Sequence, residues 1–185
     1  MKMNNKKWEL NWQNTKLYLQ HVKSYKRRNN GLDRGYGVFT KLSIKKGEIL
    51  TIFGGYVIPI EKVKNIPKKL QEYCYQIHDD FLFGPVAESE VSLSEHFNHS
   101  CNPNTGFKDS ITLVSMTDIK KDEEITIDYA MCITTRKFDF KCSCGSNNCR
   151  HFFTGNDWKI QRLQKKYKNY FQPYILEKIT RFNKK

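Results

Sequence analysis

The 185-residue chain has no apolar run approaching the roughly 20 residues that a membrane-crossing helix needs. Its first residues, Met1 to Leu10, are polar and basic and lack the apolar stretch of a secretory leader. These absences predict an intracellular, reducing location, cytoplasm or nucleus of the protein's own cell or of a host, with no membrane partner. No internal repeat and no long linker divides the chain, so one domain with short extensions is expected, and a monomer. Aromatic residues do not interleave with basic ones in the manner of single-strand nucleic-acid modules. What is present suits a folded protein: 38% hydrophobic and 14% aromatic residues.

The net charge of +13 is unevenly spread. Residues 1–30 hold eight Lys/Arg and one Glu, residues 156–185 hold nine Lys/Arg with one Asp and one Glu, and residues 31–155 hold 15 basic against 16 acidic side chains. Each end therefore carries +7 and the middle −1. Basic ends can steer a protein to nucleic acid or to a nucleosome, and a general abundance of Lys would look the same.

Periodicity predicts many short strands. Leu17 to Val22 alternates as a strand and is followed by a turn-rich Arg28-Asn29-Asn30-Gly31. Ile49 to Ile58 reads as two strands broken by Gly54-Gly55, and residues 61–73 as a short helix that Pro67 interrupts or restarts. Ile111 to Met116 and Ile125 to Ile127 are further strands around a polar Lys120–Glu124 turn. Trp158, Leu163, Tyr167 and Tyr170 or Phe171 recur at helical spacing, which predicts one outer amphipathic helix ending near Pro173.

Two stretches carry chemistry. Three of the six cysteines crowd into Cys142-Ser143-Cys144-Gly145-Ser146-Asn147-Asn148-Cys149. In a chain without a secretory signal this reads as metal binding before disulfides. Phe97-Asn98-His99-Ser100-Cys101-Asn102-Pro103-Asn104 offers side-chain donors and acceptors at a turn that Asn-Pro punctuates. Taken alone it is equally an elaborate structural turn, and Glu124 to Tyr129 taken alone is an ordinary strand end.

In chain order, however, these pieces resemble the SET-domain lysine methyltransferases. Asn98–Asn104 is similar to that family's Asn-His-Ser-Cys-x-Pro-Asn motif, and Glu123–Tyr129 to its Glu-Glu-Leu-Thr-Phe-Asp-Tyr motif. Arg34-Gly35-Tyr36-Gly37 resembles its Gly-x-Gly motif, and Cys142–Cys149 its post-SET Cys-x-Cys-x4-Cys cluster. The likeness spans about residues 17–153 and is closest to short stand-alone members. It implies a mostly-β SET fold of small sheets, with a knot-like threading near Asn98–Cys101 and Tyr129, a zinc-bound post-SET segment and a C-terminal helix. The implied divisions are a basic extension over 1–14, a SET domain over 15–135, a post-SET zinc segment over 136–155 and a basic helical extension over 156–185.

The resemblance also implies roles. Arg34, Gly35, Tyr36 and Gly37 would cradle S-adenosylmethionine, together with Tyr73, Phe97, Asn98, His99 and Phe152, and Tyr129 would be the catalytic tyrosine. Cys101 would join Cys142, Cys144 and Cys149 around a structural zinc ion, while Cys74 and Cys132 would simply pack. Asp128, which could be mistaken for a general base, would be structural. The expected activity is methyl transfer to a protein lysine, on a histone or another basic protein; the alternative is a non-catalytic, zinc-stabilised module that binds protein or nucleic acid. The chain departs from the family pattern at Phe53-Gly54-Gly55-Tyr56, where Tyr-x-Gly-Glu is common, and at His96, where Arg is common. Ile127 stands where the family often has Phe or Tyr, which implies that methylation beyond the first methyl is allowed.

Overall fold

Short β-branched and apolar runs set the strands of this protein, and the longest-range pairings bring its motifs together. The computed structural model describes residues 22–29, 33–135 and 138–184. A seven-stranded sheet contains β1 (Val22–Asn29), β2 (Asp33–Thr40), β3 (Ile49–Ile52), β7 (Asn98–His99), β8 (Thr105–Phe107), β9 (Thr112–Ser115) and β10 (Glu124–Ile127). A three-stranded sheet is made of β4 (Tyr56–Pro59), β5 (Tyr75–Gln76) and β6 (Phe81–Gly84), in the order β4-β6-β5. A hairpin joins β11 (Phe140–Lys141) to β12 (Phe152–Phe153).

Strands β8, β9 and β10 are buried along their whole length. Full burial suits their Thr, Val, Ile and Leu content, because branched side chains pack on both faces of a pleated strand. Strand β10 is the hub. It runs antiparallel to β2 through Glu124–Phe39 and Ile125–Val38, and parallel to both β7 and β8. Ile127 is in register with His99 on β7 and with Thr105 on β8, so those two strands flank it on opposite edges. Residues 100–104, which connect them, therefore lead from one edge of β10 to the other.

Asn104 repairs the hydrogen bonding at that crossing. Its Oδ1 accepts from the Thr126 amide at 2.9 Å, and its Nδ2 donates to the Glu124 carbonyl at 2.8 Å. A side-chain amide thus stands in for a missing strand partner, since buried main-chain groups must be paired. Nearby, the Thr105 hydroxyl donates to the Thr126 carbonyl at 2.7 Å.

Several sequence expectations are borne out. The break at Gly54-Gly55 separates β3 from β4, and Pro67 starts a new helical segment, α1 (Lys68–Gln71), after a 3-10 turn over Ile60–Asn65. The turn expected over residues 28–31 is corrected at its start, because Arg28 and Asn29 belong to β1 and Asn29 pairs with Asp33. The strand expected over residues 17–22 lies outside the described residues except for Val22, which begins β1.

The C-terminus also differs from expectation. Two short helices form, α2 (Gln161–Lys166) and α3 (Pro173–Phe182), and Pro173 begins the second where it was expected to end the first. Proline lacks the amide hydrogen that the first helical residue leaves unpaired, and its fixed φ suits that position. Nor is this segment an outer layer: Leu163, Tyr167, Phe171, Tyr174 and Ile175 are buried in the same cluster as Val38, Phe107 and Ile125. The Phe107 amide donates to the Tyr170 carbonyl at 2.9 Å, and the Gln172 amide to the Met131 carbonyl at 3.0 Å. Gly106 permits this docking, because a Cβ there would lie 2.6 Å from Tyr170 Cβ.

Candidate active site and metal centre

The pairing of β7 with β10 places the Asn98-His99 stretch against the chain leading into Tyr129. Asp128 accepts a hydrogen bond from the Ala130 amide at 3.1 Å and caps a 3-10 turn over Tyr129–Met131. The Tyr129 amide donates to His99 Nδ1 at 3.2 Å, and its hydroxyl donates to the Phe97 carbonyl at 2.9 Å. The tyrosine is therefore pinned to residues 97–99 at both its main chain and its phenol.

Two cavities meet at this residue. One, of about 120 Å³, is lined chiefly by aromatic and aliphatic side chains, including Phe53, Tyr75, Phe107, Ile127, Tyr129 and Phe138. Phe53 anchors its wall, with ring centroids 5.0 Å from Tyr75 and 6.1 Å from Phe107. Burial holds the Tyr75 phenol well above its usual pKa, so it stays neutral. Glu72 and Glu95 also line this cavity. The other cavity, of about 230 Å³, is bounded by Asn98, His99, Tyr129, Phe140, Lys141 and Cys142–Cys144.

The sequence-predicted site residues divide between these places. Asn98 and His99 line the second cavity, whereas Tyr73 and Phe97 line the first. Tyr73 packs edge-on against His96, at 5.4 Å between centroids. Arg34, Gly35 and Tyr36 lie in β2, where Tyr36 pairs with Arg27 of β1. Gly37 proves to be needed by the protein itself: a Cβ there would meet Glu124 Oε1 and would come within 2.8 Å of Asn98 Nδ2. Those two groups form a 2.9 Å hydrogen bond that orients Asn98. Phe152 is 51% exposed, while its neighbour Phe153 is fully buried and packs 5.3 Å from His99 and 6.0 Å from Tyr129.

The four cysteines come together as expected. The sulfurs of Cys101, Cys142, Cys144 and Cys149 all lie within 4.8 Å of one another. Cys142 is 3.8 Å from Cys101 and 3.7 Å from Cys149. Zinc–thiolate bonds of about 2.3 Å in a tetrahedron require sulfur separations of about 3.8 Å. The donor set and its spacing therefore fit a four-coordinate zinc ion. Main-chain amides support the sulfurs: Cys101 donates to Cys144 Sγ at 3.4 Å, Arg150 to Cys101 Sγ at 3.3 Å and His151 to Cys149 Sγ at 3.4 Å. Without metal the thiols diverge. Burial pushes Cys101 up to about 11, and it moves Cys142 higher still. Burial would also raise Cys144, but hydrogen bonds from Ser146 and the Cys101 amide outweigh it and bring that thiol down to about 6. Cys74 and Cys132 are both buried away from this cluster, and Cys132 lines the apolar cavity.

One group escaped the sequence reading. The Arg150 guanidinium grips Asp128 with two hydrogen bonds of 2.7 Å and Asp157 with a third of 2.7 Å. The three side chains are only 6%, 0% and 8% exposed. With its carboxylate so occupied, Asp128 has the structural role expected of it. A hint lay in the sequence, since Arg150 directly follows the last cysteine of the cluster, but its partners are 22 and 7 residues away.

Comparison with known proteins agrees with this geometry. A family model for the SET domain matches residues 35–130, just over half of the chain. The chain is 28% identical over 137 residues to the histone-lysine N-methyltransferase ASHH2 of Arabidopsis thaliana, matching 66% of this chain and 8% of that protein. It is 31% identical over 136 residues to a variant-silencing SET domain-containing protein of Plasmodium falciparum, matching 64% of this chain and 5% of that one. The chain thus spans less than a tenth of either relative's length. Among solved structures it resembles KRYPTONITE, crystallised with mCHG DNA and SAH, with a TM-score of 0.54 and 23% identity over 71% of this chain and 28% of that one. With the family match, the ordered motifs and the shared fold in agreement, the chain belongs to the SET-domain family.

Proposed function

We propose that this protein transfers a methyl group from S-adenosylmethionine to a protein lysine. The observation that carries the reading is that Tyr129 stands in the wall of both cavities, one polar and one apolar. The 230 Å³ cavity suits the donor, with Asn98 and His99 on one side and Phe140, Lys141 and the cysteine segment on the other. The 120 Å³ cavity suits the aliphatic stem of a lysine, and Glu72 and Glu95 in its wall favour the approach of a cation. When bound, S-adenosylmethionine supplies a methyl already activated by its sulfonium.

The chain's residues then have three tasks. They hold the amine in line with the methyl carbon, a matter of proximity and orientation. Tyr129 can do this because its hydroxyl proton is committed to the Phe97 carbonyl, leaving its oxygen lone pairs to accept an amine N–H. They also favour the neutral amine, since an ammonium has no lone pair: the aromatic walls exclude water and penalise the charged form. Finally they limit how many methyls fit. Ile127 lines the cavity without a hydroxyl to hold a water molecule.

We assign the substrate to histones or other basic proteins, in keeping with the histone-lysine methyltransferases that the chain resembles. Arg162, Lys165, Lys168 and Arg181 lie exposed on the C-terminal segment and suit contact with a nucleosome or nucleic acid. The divisions 15–135 for the catalytic part and 136–155 for the zinc segment belong to the same proposal. Radiolabel transfer from S-adenosylmethionine to a histone mixture tests the reading. Tyr129→Phe is expected to lower the rate on the order of 100-fold with the fold retained, and an unaffected rate would remove the tyrosine from the mechanism. Mass spectrometry of the product is expected to find di- or trimethyl-lysine; monomethyl-lysine alone at long incubation would overturn the role given to Ile127.

A further inference from the structure

We propose that Arg150 and the His99 imidazole are positioning residues that tie the four-cysteine cluster to the main chain of Tyr129. Two hydrogen-bonded routes leave the same atom, Cys101 Sγ. In the first, that sulfur accepts from the Arg150 amide at 3.3 Å, and the Arg150 guanidinium then holds both oxygens of Asp128 at 2.7 Å. Asp128 in turn accepts from the Ala130 amide at 3.1 Å and so fixes the turn that begins with Tyr129. In the second, His99 Nε2 lies 3.4 Å from Cys101 Sγ, while its Nδ1 accepts from the Tyr129 amide at 3.2 Å.

In the second route an amide N–H can only donate, so His99 Nδ1 is the acceptor, and Nε2 is the ring nitrogen directed at Cys101 Sγ. Both routes therefore leave from one sulfur, and a metal ion held by Cys101 would fix the position of the atom they share. The imidazole cannot swing aside, since it is 4% exposed and its ring packs 5.3 Å from Tyr129, 5.3 Å from Phe153 and 5.5 Å from Phe140.

Arg150 is suited to its route by shape as well as charge. Its planar fork makes a bidentate contact with Asp128 while Nε reaches Asp157 at 2.7 Å, which a lysine ammonium cannot reproduce. Asp157 accepts from the Thr154 hydroxyl at 2.8 Å just after β12, so the hairpin carrying Phe153 is held in the same network. The benefit to methyl transfer rests on the activity proposed above, but the tie itself does not.

The test is made on the zinc-loaded, isotope-labelled full chain by NMR. Removing zinc with a chelator is expected to shift the Tyr129 and Ala130 amide signals and the His99 Nε2 signal, while the Leu113 and Val114 amides of β9 stay in place. Zinc-loaded Arg150→Lys is expected to keep its metal and its folded spectrum, yet to shift Ala130 in the direction that chelation does. The triple change Arg150→Met, Asp128→Asn and Asp157→Asn removes all three buried charges together and serves if the single variant does not fold; it should shift Ala130 likewise. Tyr129 and Ala130 signals that ignore both zinc and these substitutions would overturn the proposal, even if methyl transfer proceeds. Signals that respond in a chain showing no methyl transfer would uphold the tie and overturn the proposed activity alone.

Discussion

The two cavities that meet at Tyr129 are built by different physics. The apolar one has its walls in the hydrophobic cluster, where Phe53, Phe107, Ile127 and Ile133 are nearly inaccessible to water. Packing holds such walls, and each buried aromatic contributes through area removed from water. The polar one has a wall formed by residues 140–144, whose hairpin, β11 with β12, pairs only two residues with two. So short a hairpin is not stable on its own. It is held by the sulfur cluster, by Arg150 between two carboxylates and by the burial of Phe153. The apolar side is thus a property of the core, and the polar side a property of its cross-links.

That contrast can be broken, and the largest expected effect is on the cross-links. Cys101→Ser should abolish stoichiometric zinc, which in small structural sites contributes about 10–16 kcal/mol of binding free energy. Metal analysis and calorimetry with S-adenosylmethionine check it: zinc and donor binding should fall together while the main sheet stays folded. Global unfolding in step with zinc loss would erase the distinction between the two sides. The converse change is Phe107→Ala in the core, where Phe107 is 2% exposed. It should cost about 3–5 kcal/mol of global stability, measured by denaturant unfolding, with zinc stoichiometry unchanged.

A smaller effect sharpens the comparison through pH. In the metal-free cluster Cys101 at about 11, and Cys142 above it, carry protons at neutral pH, whereas Cys144 at about 6 has lost its own. Zinc must displace at least these two protons, so its affinity should fall at least about 100-fold per pH unit of acidification between pH 6 and 11. Below pH 6, Cys144 adds a further proton and the slope steepens. A chelator competition at several pH values measures this. A flat dependence would mean that these thiols are already ionised. On the apolar side, burial holds the Tyr75 phenol well above its usual pKa.

Much of the polar side was legible in the sequence because its chemistry is carried by rare residue types in short motifs. Cys142, Cys144 and Cys149 announce a metal by spacing alone, and the resemblance supplied Cys101. Burial was less legible. Phe152 and Phe153 are alike in sequence, yet alternation across β12 exposes one and buries the other, and a one-residue choice of register decides which. The C-terminal helical spacing was correct for Leu163, whose carbonyl accepts from the Tyr167 amide at 2.8 Å just past the end of α2. Its placement on the outside was not, since periodicity identifies an apolar face without identifying what covers it.

By itself, then, the sequence determined the residue chemistry of this protein: the cysteine set, the Asn98-His99 and Tyr129 motifs, and the confinement of excess positive charge to the two ends. Only the tertiary structure decided which groups face one another. It set β10 between β7 and β8, made Gly37 the neighbour of an Asn98–Glu124 hydrogen bond, and placed Arg150 between Asp128 and Asp157. The physical reason is one of range. Metal-ligand spacing and strand alternation are local and survive in the linear chain, but a buried ion network is satisfied across 22 residues and through a chain crossing that no local pattern specifies.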